Sequence, residues 1–376
     1  MIKLDNLQKV YPDGTHAVKG ISLEVQQGEL CILLGPSGCG KTTTMKMINR
    51  LIPITDGKIY INEDDIYKLN ENELRKSIGY AIQEIGLFPH MTVSQNIATV
   101  PSLLGWSKQK QRQRAKELLD LVGMDPDEFI DRYPAELSGG QRQRVGVARC
   151  LGADPPLLLM DEPFGAIDPI TREKLQNEFL KIQEEIQKTI VFVTHDFNEA
   201  LKMGDKIALM KAGELIQYAS PEGLLSQPKN KFVRDFVGAD RALKGMRLMR
   251  VKEVMWKDPP TVRNNDDAAS VRRAMEEKKR DWAVVVDNSG KFLGWVEKSS
   301  LEEGKKVSEF MIESTTDASI DTVLNEALSM MFLTAMGNLG IIDSRGNLVG
   351  VLTFNSIRRV LGELYSEEEP VKEGAE

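Results

Sequence analysis

GELCILLGPSGCGKTTTMKMINRLI, residues 28–52, decides the fold. Five apolar residues, Leu30–Leu34, run into a loop of the form G-x-x-x-x-G-K-[ST] at 35–42, and the helical run TTTMKMINRLI follows at once. A buried strand, a glycine loop and a helix start in that order make a seat for phosphate. Gly35, Gly38 and Gly40 let the backbone aim its N–H groups at phosphate oxygens, and the helix adds the positive end of its dipole. Lys41 brings a mobile cation to the β- and γ-phosphates, and Thr42 a hydroxyl to Mg²⁺. Ser37 and Thr43 join the loop residues in the set expected to bind a nucleotide's phosphates.

On either side of this loop, short apolar runs alternate with helical patterns from Met1 to about Gly238: IKLDNLQKVY, GKIYIN, PLLLMDEP, TIVFVTHD and DKIALMKAGELIQY. That alternation predicts an α/β domain, 1–238, with a largely parallel sheet. From about 87 to 154 there is no convincing strand, only charged helical patterns such as SKQKQRQRAKELLDLVGM, so a helical subdomain is expected there. With 376 residues the chain has room for two or three units. No apolar run approaches the ~18 residues of a membrane span, and MIKLDNLQKVYPDG lacks the apolar core of a secretory signal, so the chain is expected in the cytoplasm. Its three cysteines are odd in number and without CxxC spacing, which argues against a disulfide framework or a zinc site. A net charge of -7 argues against a nucleic-acid partner.

A second motif, LSGGQRQRV at 137–145, is more specific than the first, and LLLMDEP at 157–163 ends an apolar strand in two carboxylates. Ser138 with Gly139 and Gly140 makes a small, donor-rich cap at a helix start, suited to a γ-phosphate. With these motifs the chain resembles the ABC ATPase family over roughly residues 1–238. The resemblance implies that Ser138, Gly139, Gly140 and Gln141 face the phosphate loop of a second copy, so that a homodimer encloses two ATP molecules. It implies Asp161 in the Mg²⁺ shell and Glu162 polarising the attacking water. His195, delivered by TIVFVTHD at 189–196, would stand against the γ-phosphate, and Asp168 of FGAID at 164–168 in the loop touching the partner. Ile167 of that loop stands where leucine is commoner. Gln83 resembles the glutamine that reaches Mg²⁺, Tyr11 the aromatic residue that stacks on adenine, and the segment Phe88 to Asn96 the surface that meets a membrane permease subunit.

After a basic stretch at 239–250, read as a linker, the chain repeats itself. A shift of 56 residues lays VKEVM at 251–255 on VSEFM at 307–311, and AVVVDNSGKFLGWVEKSS at 283–300 on LGIIDSRGNLVGVLTFNS at 339–356. Each copy, 251–303 and 307–364, reads as a helix, a buried strand, a glycine turn and a second strand, and an acidic tail at 365–376 is expected to be disordered. The copies resemble CBS repeats. An ABC ATPase followed by such an α+β pair resembles the ATP-binding subunits of importers of glycine betaine, carnitine, choline and related osmoprotectants. This implies a peripheral subunit at the cytoplasmic face of the membrane, with a permease and a separate substrate-binding protein as other chains. An importer ATPase for methionine or another small solute, or a soluble ABC ATPase outside transport, is the alternative. Many CBS repeats hold adenosine through G-h-h-T-x-x-D; here Glu297 and Ser300, then Thr353 and Ser356, occupy the threonine and acid positions, so both acids are missing. Thr353 is the one candidate left for a ligand there. A cyclic dinucleotide, an anionic lipid surface meeting the basic stretches, and plain dimerisation all remain open. Trp256, Trp282 and Trp295 read as packing rather than as a cage for a quaternary amine.

Overall fold

Leu30–Leu34, Leu157–Asp161 and Thr189–Thr194 are buried along their whole length, as strands covered on both faces must be. In the computed structural model, which describes residues 2–82, 86–165, 167–334 and 337–365, these three strands lie side by side. They form the centre of a six-stranded sheet in the order Glu214–Ala219, Lys206–Lys211, Leu30–Leu34, Thr189–Thr194, Leu157–Asp161, Ile78–Ala81. All neighbours are parallel except the antiparallel pair at the Glu214–Ala219 edge. IKLDNLQKVY and GKIYIN do not join it. Ile2–Val10 and Asp56–Ile61 pair antiparallel, in a second sheet of four strands with His16–Val25 and Asp64–Asp65. Between residues 86 and 156 the described residues contain helices, among them Lys108–Leu121 and Gly139–Cys150, and no strand.

The chain divides into two compact units, residues 1–236 and 237–376. The second is built on the repeat. In each copy a three-residue strand, Thr261–Arg263 or Asp317–Ser319, pairs parallel with the next strand, Trp282–Val286 or Asn338–Ile342. That strand then turns back as a hairpin onto Phe292–Glu297 or Leu348–Thr353. Every one of these strands lies 56 residues from its counterpart, and both hairpins carry the same irregularity, at Val286 and Ile342. Their turns also match. Asp287 accepts from the N–H groups of Ser289 and Lys291, and Asp343 from those of Arg345 and Asn347, while Gly290 and Gly346 supply φ of 90° and 83°.

Two boundaries differ from the sequence reading. The 239–250 stretch is folded rather than open: Arg241–Gly245 is helical, Lys244 donates to the Val237 carbonyl, and Met246 and Met249 are buried in the core of the second repeat. Apolar residues placed between arginines and lysines hide this burial from a charge count. Tyr365, assigned to the tail, ends the helix Phe354–Tyr365, and its carbonyl accepts from Arg241; residues 366–376 lie outside the described ones. The tryptophans pack edge to face, Trp256 on Trp282 at 6.1 Å and Trp282 on Trp295 at 5.6 Å, with Trp295 buried.

Candidate active site

Parallel strands gather chemistry at their carboxyl ends, and here three adjacent strands end together. Leu34 pairs with Thr194, and Asp161 with Val193, so the glycine loop, the two carboxylates and His195 all leave the sheet at one edge. Gly35 must be glycine: with φ of 148° and a Cβ that would meet the Met210 carbonyl at 2.2 Å, no side chain fits. Gly38, with φ of 77°, has nothing within 4 Å of such a Cβ, so the loop is tight beneath and open above. Gly40 caps the helix Lys41–Ile48.

Lys41 is buried, and its ammonium donates to the carbonyls of Gly35 at 2.7 Å and Pro36 at 3.0 Å, with Cys39 Sγ at 3.8 Å. Thr42 donates to the Asp161 carboxylate at 3.0 Å. Burial pushes the Asp161 carboxyl above its usual range; the Thr42 hydrogen bond opposes that shift and the neighbouring charge of Glu162 adds to it. A hydroxyl and a buried carboxylate 3.0 Å apart are oxygen donors that suit a magnesium ion. Glu162 lies just past the strand with a left-handed φ of 46°, its N–H donating to the Val193 carbonyl at 3.0 Å. Its carboxylate stands 3.2 Å from His195 Nδ1.

The structure thus brings Lys41, Thr42, Asp161, Glu162 and His195 together, with Ser37 and Thr43 on the same loop and helix start. Tyr11 sits half-buried in the turn after Ile2–Val10, under the ammonium of Lys9 at 5.2 Å. The strand that follows this turn passes the loop, since a Cβ on Gly40 would meet the Ala17 carbonyl. Gln83 lies outside the described residues.

Ser138, Gly139, Gly140 and Gln141 stand apart. They start the helix Gly139–Cys150 in a reciprocal cap, Gln141 N–H donating to Ser138 Oγ and Ser138 N–H to Gln141 Oε1 at 2.8 Å. Among the described residues no hydrogen bond or ion pair joins them to the glycine loop. They line instead an open cleft of about 710 Å³, with Asp168 and Thr171 on its other side. Asp168 caps the helix Pro169–Ile186, and the N–H of Thr171 holds its carboxyl below the usual range. Sequence reading missed the polar side chains behind His195, Arg172, Gln176 and Glu199. The only signal for them was a glutamate among the apolar residues of FNEALKM.

In the second unit, Thr353 accepts from the Ser356 N–H at 3.1 Å and its own N–H donates to Ser356 Oγ at 3.1 Å, so the two residues satisfy each other. In the first copy the matching Ser300 hydroxyl donates to the Glu297 carbonyl at 2.9 Å, as that of Ser356 does to the Thr353 carbonyl at 2.8 Å.

Comparison with known proteins agrees with both units. The ABC transporter family matches residues 18–165, and the CBS domain family matches 251–302, the first of the two copies. The glycine betaine/carnitine/choline transport ATP-binding protein OpuCA of Bacillus subtilis is 44% identical over 98% of each chain. The osmoprotectant import ATP-binding protein OsmV of Salmonella typhimurium is 44% identical over 94% of each chain. A dimeric, post-hydrolysis structure of the ATP-binding cassette MJ0796 bound to ADP and Pi covers 59% of this chain at 36% identity and a TM-score of 0.53, over 99% of its own length. The chain therefore belongs to the ABC transporter family, among its ATP-binding proteins.

Proposed function

We propose that this chain is the ATP-hydrolysing subunit of an importer for glycine betaine, carnitine, choline or a related quaternary amine. The observation that carries this is likeness along the whole chain: OpuCA matches through the ATPase unit and the repeats alike, where a likeness confined to the ATPase would suit any importer. An importer of methionine or another solute is the rival reading. Loss of labelled betaine, carnitine or choline uptake in cells lacking the gene, with methionine uptake intact, supports the proposal, and the reverse pattern refutes it.

Within the site, Lys41 and the loop N–H groups hold the β- and γ-phosphates, and Tyr11 stacks on the adenine. Thr42 and Asp161, and Gln83 in the family pattern, would hold a Mg²⁺ ion, which would supply positive charge beside the β- and γ-phosphates. Glu162 takes up the proton of the water it orients toward the γ-phosphorus, and His195 holds that water and the γ-phosphate in line. The second half of the seat is Ser138 to Gln141 of another copy, with Asp168 at the contact. The self-contained cap and the open cleft beside it support this reading, because among the described residues none of the four hydrogen-bonds to the glycine loop, to Asp161 and Glu162 or to His195. Mixing two inactive variants tests it. A Lys41→Ala chain supplies a sound signature, and a Ser138→Arg chain a sound loop, so their mixture recovers turnover from one intact site per dimer. Absence of any recovery places the whole site in one chain.

Closure of the dimer on ATP acts on a permease through differential binding alone. The segment Phe88 to Asn96 suits that contact. Asn96, fully buried, donates to the carbonyls of Phe88, Met91 and Thr92 and so fixes the segment's shape, while the half-exposed Phe88 borders a groove of about 220 Å³ with Tyr80 and Arg149. Among the described residues no helix is long and apolar enough to cross a membrane, which fits a peripheral subunit at the cytoplasmic face. A separate substrate-binding protein completes the importer. At the repeats, mutual satisfaction of Thr353 and Ser356 favours dimerisation or contact with an anionic surface over a nucleotide in the usual adenosine position.

A further inference from the structure

Glu199 is a carboxylate with 6% of its surface exposed, on the helix Phe197–Met203 and flanked in sequence by the buried Ala200, Leu201 and Met203. Such a group is costly unless hydrogen-bonded. It has partners on two elements. Gln176 Nε2, from the helix Pro169–Ile186, donates to it at 2.9 Å, and Thr194, at the end of the central strand, borders the same small cavity, its hydroxyl favouring the charged carboxylate. That hydroxyl in turn accepts from the N–H of Asp196 at 3.0 Å. Thr194 and Asp196 are the two neighbours of His195, so one buried carboxylate restrains the backbone on both sides of the histidine.

That restraint matters because little else aims the ring. The His195 side chain is 62% exposed, yet it stands 3.2 Å from Glu162. An imidazole so open to solvent takes its direction from its backbone rather than from packing. Arg172, on the same helix as Gln176, donates to the Ile167 carbonyl at 2.8 Å and lies 3.9 Å from the Asp196 carboxylate. Its Nε is buried without a hydrogen-bond partner among the described residues. Glu162, Arg172, Thr194, His195 and Glu199 all border one cavity of about 30 Å³.

We propose that Glu199 is a positioning residue for ATP hydrolysis: through Thr194 it fixes the peptide on either side of His195 and aims the imidazole at Glu162. Through Gln176 and Arg172 it ties that aim to the helix and loop at Asp168, which face the second copy. The inference rests on the reading of His195 as part of the hydrolytic site. It adds a residue that acts through His195 rather than on the nucleotide itself.

The test compares ATP turnover of the full-length chain with Glu199→Gln, His195→Ala and the double variant. In Glu199→Gln one carboxylate oxygen becomes an amide donor facing the Gln176 amide, so kcat falls about ten- to a hundredfold through misplacement of the ring, with KM for ATP unchanged. In the His195→Ala background the same substitution has no further effect, because what it aims is gone. A readout independent of activity comes from NMR of the imidazole groups. The chain has three histidines, His16, His90 and His195, and only the His195 signal shifts in Glu199→Gln. Thr194→Val removes one hydroxyl and repeats both measurements, so the test stands if Glu199→Gln fails to fold. Unchanged kcat in Glu199→Gln beside an inactive His195→Ala overturns this inference alone. An equal loss in both backgrounds also overturns it, by marking a merely structural role. Full turnover in His195→Ala overturns the reading of His195 and the inference with it.

Discussion

Two strand ends in this molecule run into helices and have opposite characters. After Leu30–Leu34 the chain supplies glycines, a buried ammonium, the Thr42 hydroxyl and an open space above the loop, and two nearby strands bring two carboxylates and His195 to the same edge. After Leu348–Thr353 the helix follows with no loop between, and Thr353 and Ser356 donate and accept between themselves. A strand running into a helix is therefore only an opportunity for anion binding. Whether it becomes a seat depends on whether the local side chains satisfy the helix start themselves. Thr353 and Ser356 do so, whereas Gly38 and Gly40 have no side chain with which to do it.

The sharpest way to break this contrast is at the open end. Glu162→Gln keeps the shape and hydrogen-bonding reach of the side chain, so ATP binding measured by filter assay stays near normal while turnover falls at least about a hundredfold. Near-normal hydrolysis would remove the carboxylate from the chemistry. In the second unit, which holds the closed end, the expected losses are in stability. Trp295→Ala empties a buried aromatic position against Trp282 and Phe292 and destabilises the second unit by about 3–5 kcal/mol in denaturant titration. A loss below about 1 kcal/mol would mean that the tryptophans are kept for a ligand instead. The smallest effect is at Thr353→Val, which deletes one cap hydrogen bond and lowers stability by about 1 kcal/mol, with ATP affinity unchanged. Loss of nucleotide binding to the second unit at unaltered stability would turn the closed end into a seat and erase the difference.

Legibility in the sequence followed the range of each interaction. The glycine loop, the LSGGQ cap and the MDEP strand end are local patterns in which order alone restricts the geometry. The 56-residue shift exposed the second unit because both copies keep their hairpin aspartates and glycines, Asp287 with Gly290 and Asp343 with Gly346, for the same turn. Thr261–Arg263 and Asp317–Ser319 escaped notice because three residues are too few to display a period of two. Met246 and Met249 escaped because their burial is earned by a core assembled far along the chain. The pairing of Glu162 with His195, and the network behind it, join residues brought close only by strand order.

Glu162 carries one more consequence, through its backbone. The residue is not glycine and still adopts φ of 46°, a conformation that disfavours L side chains by about 1–2 kcal/mol. Glycine at 162 would relax the turn and deprive the site of its carboxylate in one step. Here thermal robustness and turnover pull in opposite directions, so selection for stability alone would drift toward a sturdier but idle protein. The glutamate records a compromise that only activity can enforce.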